Sequence, residues 1–330
     1  MNRASLLLPV HDGSHVSEVR RAVADAATEV GFSDPHVGRA TLVASEMATN
    51  LAKHAGGGTL LVRRLNDGIE LLAVDRGPGM GDPERCLRDG YSTAGSAGTG
   101  LGAIKRMSDD FGLHTQVGRG TVVLGRLWAH ESRTTPPSRF LIGAVSIPIT
   151  GEVTCGDVWS STEGDGSVRL AIFDGLGHGP DAALAGEAAT DLIQRHPQDG
   201  PGALLEGVHQ GIRHTRGAAG AVCDLSITGR SLRHAGVGNI AVALIHDGKA
   251  RQLLSHNGTL GHNAARFRES SYSWSRDDLV ILSSDGLTTR WVLSDYPGLH
   301  QCDPAVIAAI LWRDFQRGRD DATVMVVKER

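Results

Sequence analysis

Two apolar, strand-like runs in the second half of the chain each end in an Asp-Gly pair. The run 170–173 leads into Asp174-Gly175, and the run 279–284 leads into Asp285-Gly286. Short apolar runs bounded by turn residues predict buried strands, so each carboxylate should lie at the end of a strand. Taken alone, an Asp-Gly pair more often marks an ordinary turn. A cation site would therefore require further acidic residues at strand ends.

Two more aspartates fit the same pattern. Asp157 follows a glycine and opens a strand-like run, and Asp320 comes just before the run 322–327. Mg²⁺ and Mn²⁺ prefer oxygen ligands such as carboxylates. The four positions therefore predict a site for hard divalent cations, and with it hydrolytic phosphate chemistry.

Length and composition predict two domains. The chain has 330 residues, more than a single core usually supports, and 40% of them are hydrophobic. A polar segment containing Pro136-Pro137 interrupts the periodic pattern and cannot continue a helix or a central strand. We place a first domain at 1–128, a linker at 129–138 and a second domain at 139–330.

Charge and cysteine content argue against several classes of binding partner and of cysteine-based site. The net charge is −4 and no basic patch is evident, which argues against nucleic-acid or anionic-membrane partners. The four cysteines are far apart and match neither a zinc site nor a disulfide framework. No apolar stretch reaches the ~18–20 residues of a membrane span. A cytoplasmic protein is expected.

The first domain shows signals for a nucleotide site. A helix is predicted over 34–54, and Glu46, Asn50 and Lys53 share one of its faces. A solvated polar stripe is the alternative interpretation of that face. Two strands, 59–65 and 69–75, follow around a hairpin turn signal.

Two glycine-rich segments follow, and each could bring backbone N–H groups close to a phosphate. Asp75-Arg76-Gly77-Pro78-Gly79 ends the second strand, and a glycine-rich stretch over 95–102 leads into a helix predicted at 103–108. Backbone N–H groups of such loops, at the positive end of a helix, bind phosphate. Each loop alone is weak evidence, but their order after the polar helix is specific.

These three motifs in register resemble the GHKL ATP-binding domain of histidine kinases, gyrase, Hsp90-type chaperones and anti-sigma kinases, over about residues 14–128. The resemblance implies that Glu46 is the base, Asn50 a magnesium ligand and Lys53 a phosphate contact. It implies that Asp75 accepts from the adenine amino group. The expected nucleotide contacts from glycine-rich segments are Gly77, Gly79, Gly98, Thr99, Gly100, Leu101 and Gly102.

Two segments of the first domain indicate which subfamily of ATP-binding domains it resembles. The segments 89–96 and 100–107 resemble RsbT-like switch kinases, which phosphorylate Ser or Thr on STAS-domain proteins. The chain shows no phosphoacceptor-histidine helix pair ahead of the domain, so a histidine kinase is disfavoured. ATP and Mg²⁺ are the cofactors that this resemblance implies.

The order of acidic motifs in the second domain resembles the SpoIIE-like branch of the PPM phosphatases, and 236–240 with 257–261 resembles RsbX-like feedback phosphatases. The resemblance implies two Mn²⁺ or Mg²⁺ ions bridged by the catalytic Asp174. The remaining ligands that it implies are Asp157, the Gly175 carbonyl, Asp285 and either Asp320 or its neighbour Asp321. His178 is expected mainly to hold the loop after Asp174, and no phosphate-binding arginine is evident.

Together these signals predict an α/β (α+β) two-domain protein, with an N-terminal α/β sandwich of the GHKL type and a C-terminal PPM-type β-sandwich flanked by helices. We expect a bifunctional Ser/Thr kinase and phosphatase acting on STAS-domain phosphoproteins of an anti-anti-sigma or stressosome-like switch. A sigma factor or downstream regulator is a further candidate partner. One alternative is an ATP-dependent anti-sigma binding module whose phosphatase resets the partner. A degenerate phosphatase scaffold is disfavoured by the full set of acidic ligands.

Overall fold

The computed structural model describes residues 4–87, 100–129, 138–164 and 166–330. They form two compact units. The N-terminal unit holds the described residues of 5–136 together with Ser294–Ile310, and the C-terminal unit holds those of 137–293 with Leu311–Arg330. The 294–310 segment lies outside the range 1–128 expected for the first domain. The predicted segment 89–96 and most of the predicted linker lie outside the described residues.

The N-terminal unit is an antiparallel sheet with helices on one face. Its strands run in the order β1-β2-β3-β5-β4. They are β1 (Leu6–Val10), β2 (Gly58–Arg64), β3 (Gly68–Val74), β4 (Asp110–Gln116) and β5 (Gly120–Trp128). The helices are α1 (Val16–Glu29), α2 (Asp34–His54), the short α3 (Pro83–Cys86) and α4 (Gly100–Met107).

The apolar faces of α1 and α2 form the core of this unit with the sheet. Val23 and Met47 are buried there against strand residues such as Leu60 and Leu71. The predicted helix 34–54 and the β2–β3 hairpin are confirmed. The predicted start of the next helix at 103 was wrong, because α4 begins at Gly100. Its Gly102 and Ile104 are buried, and such packing overrides the low helix propensity of glycine.

A buried ionic chain lies on β2, β3 and β5. The Glu70 carboxylate accepts from Arg63 Nε at 2.9 Å and from Arg126 Nε at 2.8 Å. The other end of Arg126 donates to both carboxylate oxygens of Asp303, at 2.7 Å each. Burial lowers the pKa of Arg126, but Glu70 and Asp303 outweigh it and raise that pKa above its usual range. Arg126 therefore stays charged and ties Asp303 to the sheet.

Replacing Arg126 with Ala should destabilise the N-terminal unit by about 3–5 kcal/mol, because breaking a buried ion pair is costly: Glu70 keeps its bond with Arg63 but loses the one with Arg126. Hydrogen exchange of the β3 and β5 amides would measure this loss. The control is Arg64→Ala, which removes a surface pair with Glu29 and should cost no more than about 1 kcal/mol. Equal protection in the two variants would contradict a stabilising role for the buried chain.

The C-terminal unit contains two antiparallel sheets, ordered β13-β10-β9-β8-β7 and β12-β11-β14-β15-β6. The first sheet has β7 (Asp157–Gly164), β8 (Ser167–Gly175), β9 (Ala218–Ser226), β10 (Ser231–Val237) and β13 (Ser270–Ser273). The second has β6 (Phe140–Ile147), β11 (Ala241–His246), β12 (Lys249–Gln252), β14 (Leu279–Ser283) and β15 (Ala322–Glu329). The helices that follow β8 are α5 (Pro180–Arg195) and α6 (Pro201–Gly211). A last helix, α7 (Pro304–Phe315), comes between β14 and β15 in sequence, and its residues up to Ile310 belong to the N-terminal unit.

Two apolar cores hold this unit together. Leu170 and Ile172 of β8 pack with Leu282 of β14 and Met325 of β15 in the core that joins the sheets. Phe173 belongs to a second core with α5 and α6. A β-sandwich flanked by helices results, and the predicted fold class is confirmed for both units. No helix within the described part of the chain is both long and apolar enough to cross a bilayer.

Candidate functional site

The predicted acidic residues of the C-terminal unit come from the ends of four strands. Asp157 opens β7 and is the register partner of Asp174 near the end of β8. Asp285 follows β14 and Asp320 precedes β15, and these two strands are also paired. The charges of Asp157, Asp285 and Asp320 all act on Asp174. The structure therefore brings the four predicted carboxylates into one acidic cluster.

Burial gives this cluster its electrostatic character. Burial raises the pKa of Asp174, and the neighbouring charges of Asp157, Asp285 and Asp320 raise it further. Burial also raises the pKa of Asp157, although hydrogen bonds from neighbouring side chains partly offset the effect. Like charges held together in a poorly solvated place disfavour one another's ionised form. A bound cation would remove that penalty.

Two side chains that the sequence did not single out as site residues hold the cluster in place. Ser284 Oγ donates to Asp157 Oδ2 at 2.7 Å, which joins β14 to β7. Asn239 Nδ2 donates to Asp285 Oδ2 at 2.6 Å. Their signal was present, since Ser284 directly precedes Asp285 and Asn239 lies in the Gly-Asn motif after β10. Both contacts orient a carboxylate without adding charge.

Asp320 and Asp321 differ in what their carboxylates contact. Asp321 accepts from the backbone N–H of Ile149 at 2.7 Å and of Gly156 at 2.8 Å, and it is 3% exposed. These bonds fasten the loop that leads into Asp157. Asp320 is exposed, and its Oδ1 accepts from the N–H of the adjacent Asp321. The geometry therefore favours Asp320 as the metal ligand and Asp321 as the residue that positions the loop.

Glycines permit the close approach of the chain at this cluster. A Cβ on Gly175 would overlap the carbonyl of Ala182 in α5, and one on Gly286 would overlap the carbonyl of Asp321. The Asp-Gly pairs therefore serve packing as well as turns. His178 Nδ1 lies 2.7 Å from Glu152 Oε1, a contact that ties the loop after Asp174 to the loop before β7.

The chemistry of the donors fits hard divalent ions. Each of the four positions offers carboxylate oxygens, the ligands preferred by Mg²⁺ and Mn²⁺. No three His, Cys, Asp or Glu side chains of the described residues form a closed cage as they stand. Mg²⁺ usually keeps several waters and uses only one or two carboxylates, so an open acidic cluster suits it. The Gly175 carbonyl remains a predicted ligand.

The predicted adenine residue of the N-terminal unit is fixed at the end of β3. Asp75 Oδ1 accepts from the Gly77 N–H at 2.8 Å and from the Thr121 N–H at 3.1 Å. Gly79 has a φ of +69°, a conformation that side chains rarely adopt. A Cβ on Gly77 would lie 2.7 Å from Ala55 Cα at the end of α2. The chain can follow this path only with glycine at both places, as a nucleotide loop requires.

The predicted catalytic face of α2 meets the start of α4. A Cβ on Gly100 would lie 3.1 Å from Asn50 Oδ1 and 3.3 Å from Glu46 Oε2. Glu46 and Asn50 are one helical turn apart and partly exposed, and Lys53 is exposed in the last turn of α2. Glu46 and Asn50 therefore face the start of α4. Leu101 and Gly102 lie in α4, while Gly98 and Thr99 lie outside the described residues.

Comparisons with known proteins match both halves of the chain. Residues 10–126 match the histidine kinase-like ATPase domain family, and residues 164–330 match the stage II sporulation protein E (SpoIIE) family. The serine/threonine-protein kinase RsbT of Bacillus subtilis (strain 168) is 35% identical over 108 residues, which cover 32% of this chain and 81% of RsbT. The predicted resemblances of both domains are confirmed.

Solved structures give a consistent result. A chain of the structure "The bacterial stressosome: a modular system that has been adapted to control secondary messenger signaling" is 28% identical, with a TM-score of 0.54, and the match covers 58% of this chain and all 100% of that one. RsbX in complex with magnesium is 19% identical, with a TM-score of 0.52, over 60% of this chain and 99% of RsbX. At that identity, the RsbX match shows a shared fold.

Proposed function

Because the chain belongs to the SpoIIE family through residues 164–330 and to the RsbT family through its first domain, we propose that it phosphorylates and dephosphorylates STAS-domain regulators in a partner-switching pathway. A kinase-like ATPase domain and a metal-dependent serine/threonine phosphatase domain occur in one chain. The single observation that carries the proposal is the acidic cluster of Asp157, Asp174, Asp285 and Asp320, in the same chain as Glu46 and Asn50.

In the kinase step, Glu46 accepts the proton of the attacking Ser or Thr hydroxyl as that oxygen approaches the γ-phosphate of ATP. Asn50 lies one turn further along α2, close to Gly100 at the start of α4, and is the proposed magnesium ligand. Asp75 orients the base of the nucleotide from the end of β3, and Lys53 contacts phosphate. In this proposal the nucleotide base is recognised at the end of β3, and the proton is accepted on α2.

In the phosphatase step, the acidic cluster is the proposed site of the divalent ions and of the phosphate that is hydrolysed. Divalent ions, when bound, supply a water of lowered pKa and neutralise charge that develops on the phosphate. Asp174 would be a ligand shared by these ions, Asp157 and the Gly175 carbonyl would help to hold one of them, and Asp285 and Asp320 would help to hold the other. Ser284 and Asn239 keep two of these carboxylates in fixed orientations.

A chain with both activities would consume ATP without net effect if both ran at once. We therefore expect partner binding to favour one activity over the other. The test incubates the full chain with candidate STAS proteins, ATP and Mn²⁺ and maps phosphosites by mass spectrometry. A Ser or Thr phosphosite should appear with ATP, and it should disappear after ATP is removed while Mn²⁺ is present.

A chelator provides the matched control, because removal of divalent ions should preserve an existing phosphosite. Stable ATP-dependent capture of a STAS protein without any phosphosite would instead favour the binding-module alternative. Phosphorylation that persists in Mn²⁺ would contradict the phosphatase half of the proposal.

A further inference from the structure

A cavity of about 640 Å³ that is wide open to solvent adjoins the loop that follows Asp174. It is lined by Leu176, Arg213, Arg216, Thr259, Gly261, His262 and Asn263. Leu176 comes two residues after Asp174, and its N–H donates to the carbonyl of Gly217 at 3.0 Å. The loop that follows the proposed bridging carboxylate at the end of β8 therefore also forms a wall of the cavity.

Arg216 is held against that loop. Its Nη1 lies 3.1 Å from the place that a Cβ on Gly177 would occupy, and its Nη2 donates to Asp181 at 2.6 Å. His262 Nε2 donates to the Arg216 carbonyl at 2.9 Å. Asp181 offsets part of the charge of Arg216, so this arginine mainly shapes the wall.

Arg213 contributes the charge that is not offset. It is exposed and forms no ion pair with any residue that the structure describes. Burial lowers the pKa of the nearby His209, and the positive charge of Arg213 lowers it further. His209 Nδ1 accepts from the Gly261 N–H at 3.2 Å, so that imidazole is engaged in holding the cavity wall. A guanidinium in a polar cavity, with a hydroxyl and an amide nearby, suits an anionic group.

We propose that this cavity binds an anionic group of the phosphorylated substrate protein, with Arg213 as its principal contact. The inference rests on the phosphatase function proposed above and adds a specificity residue to it. The anion is either the phosphate that is hydrolysed or a carboxylate beside the phosphorylated residue. Both present oxygens that a guanidinium binds with charge-assisted hydrogen bonds.

The experiment compares Arg213→Ala and Arg213→Lys with the unmodified chain. The substrates are p-nitrophenyl phosphate and serine phosphopeptides with neutral or acidic flanking residues, assayed with Mn²⁺. Arg213→Ala should raise KM about 10- to 100-fold for the substrate that carries the bound anion, with little change in kcat. Arg213→Lys should restore part of the affinity, because it keeps the charge but loses the forked geometry.

The pattern across substrates identifies the anion. A KM increase for all three substrates assigns the hydrolysed phosphate to Arg213, and an increase only for the acidic phosphopeptide assigns a flanking carboxylate. Unchanged KM for all three would overturn the proposal. The control is Arg195→Ala, at the last position of α5 and about 22 Å along that helix from Pro180, which should leave KM unchanged.

A binding measurement separates this inference from the proposed function. Fluorescence anisotropy of the same labelled phosphopeptides in an Asp285→Ala background reports affinity without turnover. The further change Arg213→Ala should weaken binding by the same 10- to 100-fold. If the unmodified chain hydrolyses no substrate, the proposed function fails, whereas the anisotropy result still decides whether the cavity binds the anion.

Discussion

Asp285→Ala is expected to lower Mn²⁺-dependent phosphate release from a phosphorylated STAS protein by about 1,000-fold or more. Metal ions typically supply several kcal/mol of transition-state stabilisation, and each 1.36 kcal/mol is worth a factor of ten in rate. Asp285 is a charged ligand in the proposed site and is oriented by Asn239. Its removal should also raise the Mn²⁺ concentration that is needed for half-maximal activity.

Loss of folding would not explain such a result. Burial raises the pKa of Asp285, and the neighbouring Asp320 raises it further, so its ionised form is disfavoured in the metal-free protein. Removing that charge should leave the thermal stability of the metal-free chain unchanged or slightly increased. Asp285→Asn is the matched variant, because it keeps the shape and an acceptor for Asn239.

The readouts are phosphate release, melting temperature without metal, and ATP binding by calorimetry. ATP affinity should be unaffected in both variants, since the nucleotide site belongs to the other domain. With ATP present, phosphorylated partner should accumulate. Near-native phosphatase activity of Asp285→Ala at saturating Mn²⁺ would rule out the assigned metal site. Loss of ATP binding would show that the domains act as one unit.

The second large effect is expected at Glu46. Glu46→Gln should reduce phosphate transfer to a STAS partner by about 100- to 10,000-fold, the usual contribution of a general base. Glutamine has nearly the same volume, so the contact with the start of α4 at Gly100 is retained. ATP binding should therefore persist, because Asp75 and the glycines that are proposed to contact the nucleotide are unchanged.

Asp75→Asn provides the opposite control. The Asp75 carboxylate accepts from two backbone N–H groups at the end of β3. An amide at this position would direct its own NH₂ group toward hydrogen-bond donors, and the acceptor for the adenine amino group would be lost. We expect this variant to lose most ATP affinity while it stays folded. Transfer at the native rate by Glu46→Gln would show that Glu46 is not the base, and unchanged ATP affinity of Asp75→Asn would remove the adenine assignment.

Local sequence patterns were sufficient to predict the helix and strands that carry the proposed catalytic residues. The start signal at Asp34-Pro35 predicted α2, and Glu46 and Asn50 do lie one turn apart on it. Apolar runs that end in Asp-Gly predicted the ends of β8 and β14. Such features depend on residues within a few positions of each other, so periodicity and turn chemistry reveal them. The start of α4 was missed because packing of Gly102, rather than local propensity, decides it.

Only the tertiary structure could decide which distant residues meet. Asp321 accepts from Ile149 and Gly156, which are 172 and 165 positions away, and this contact separates its role from that of Asp320. The Arg126–Asp303 pair spans 177 positions. Arg213 also reaches the cavity beside the loop after Asp174 only through the fold. These contacts depend on strand register and on the packing of elements far apart in sequence, for which no short-range pattern exists.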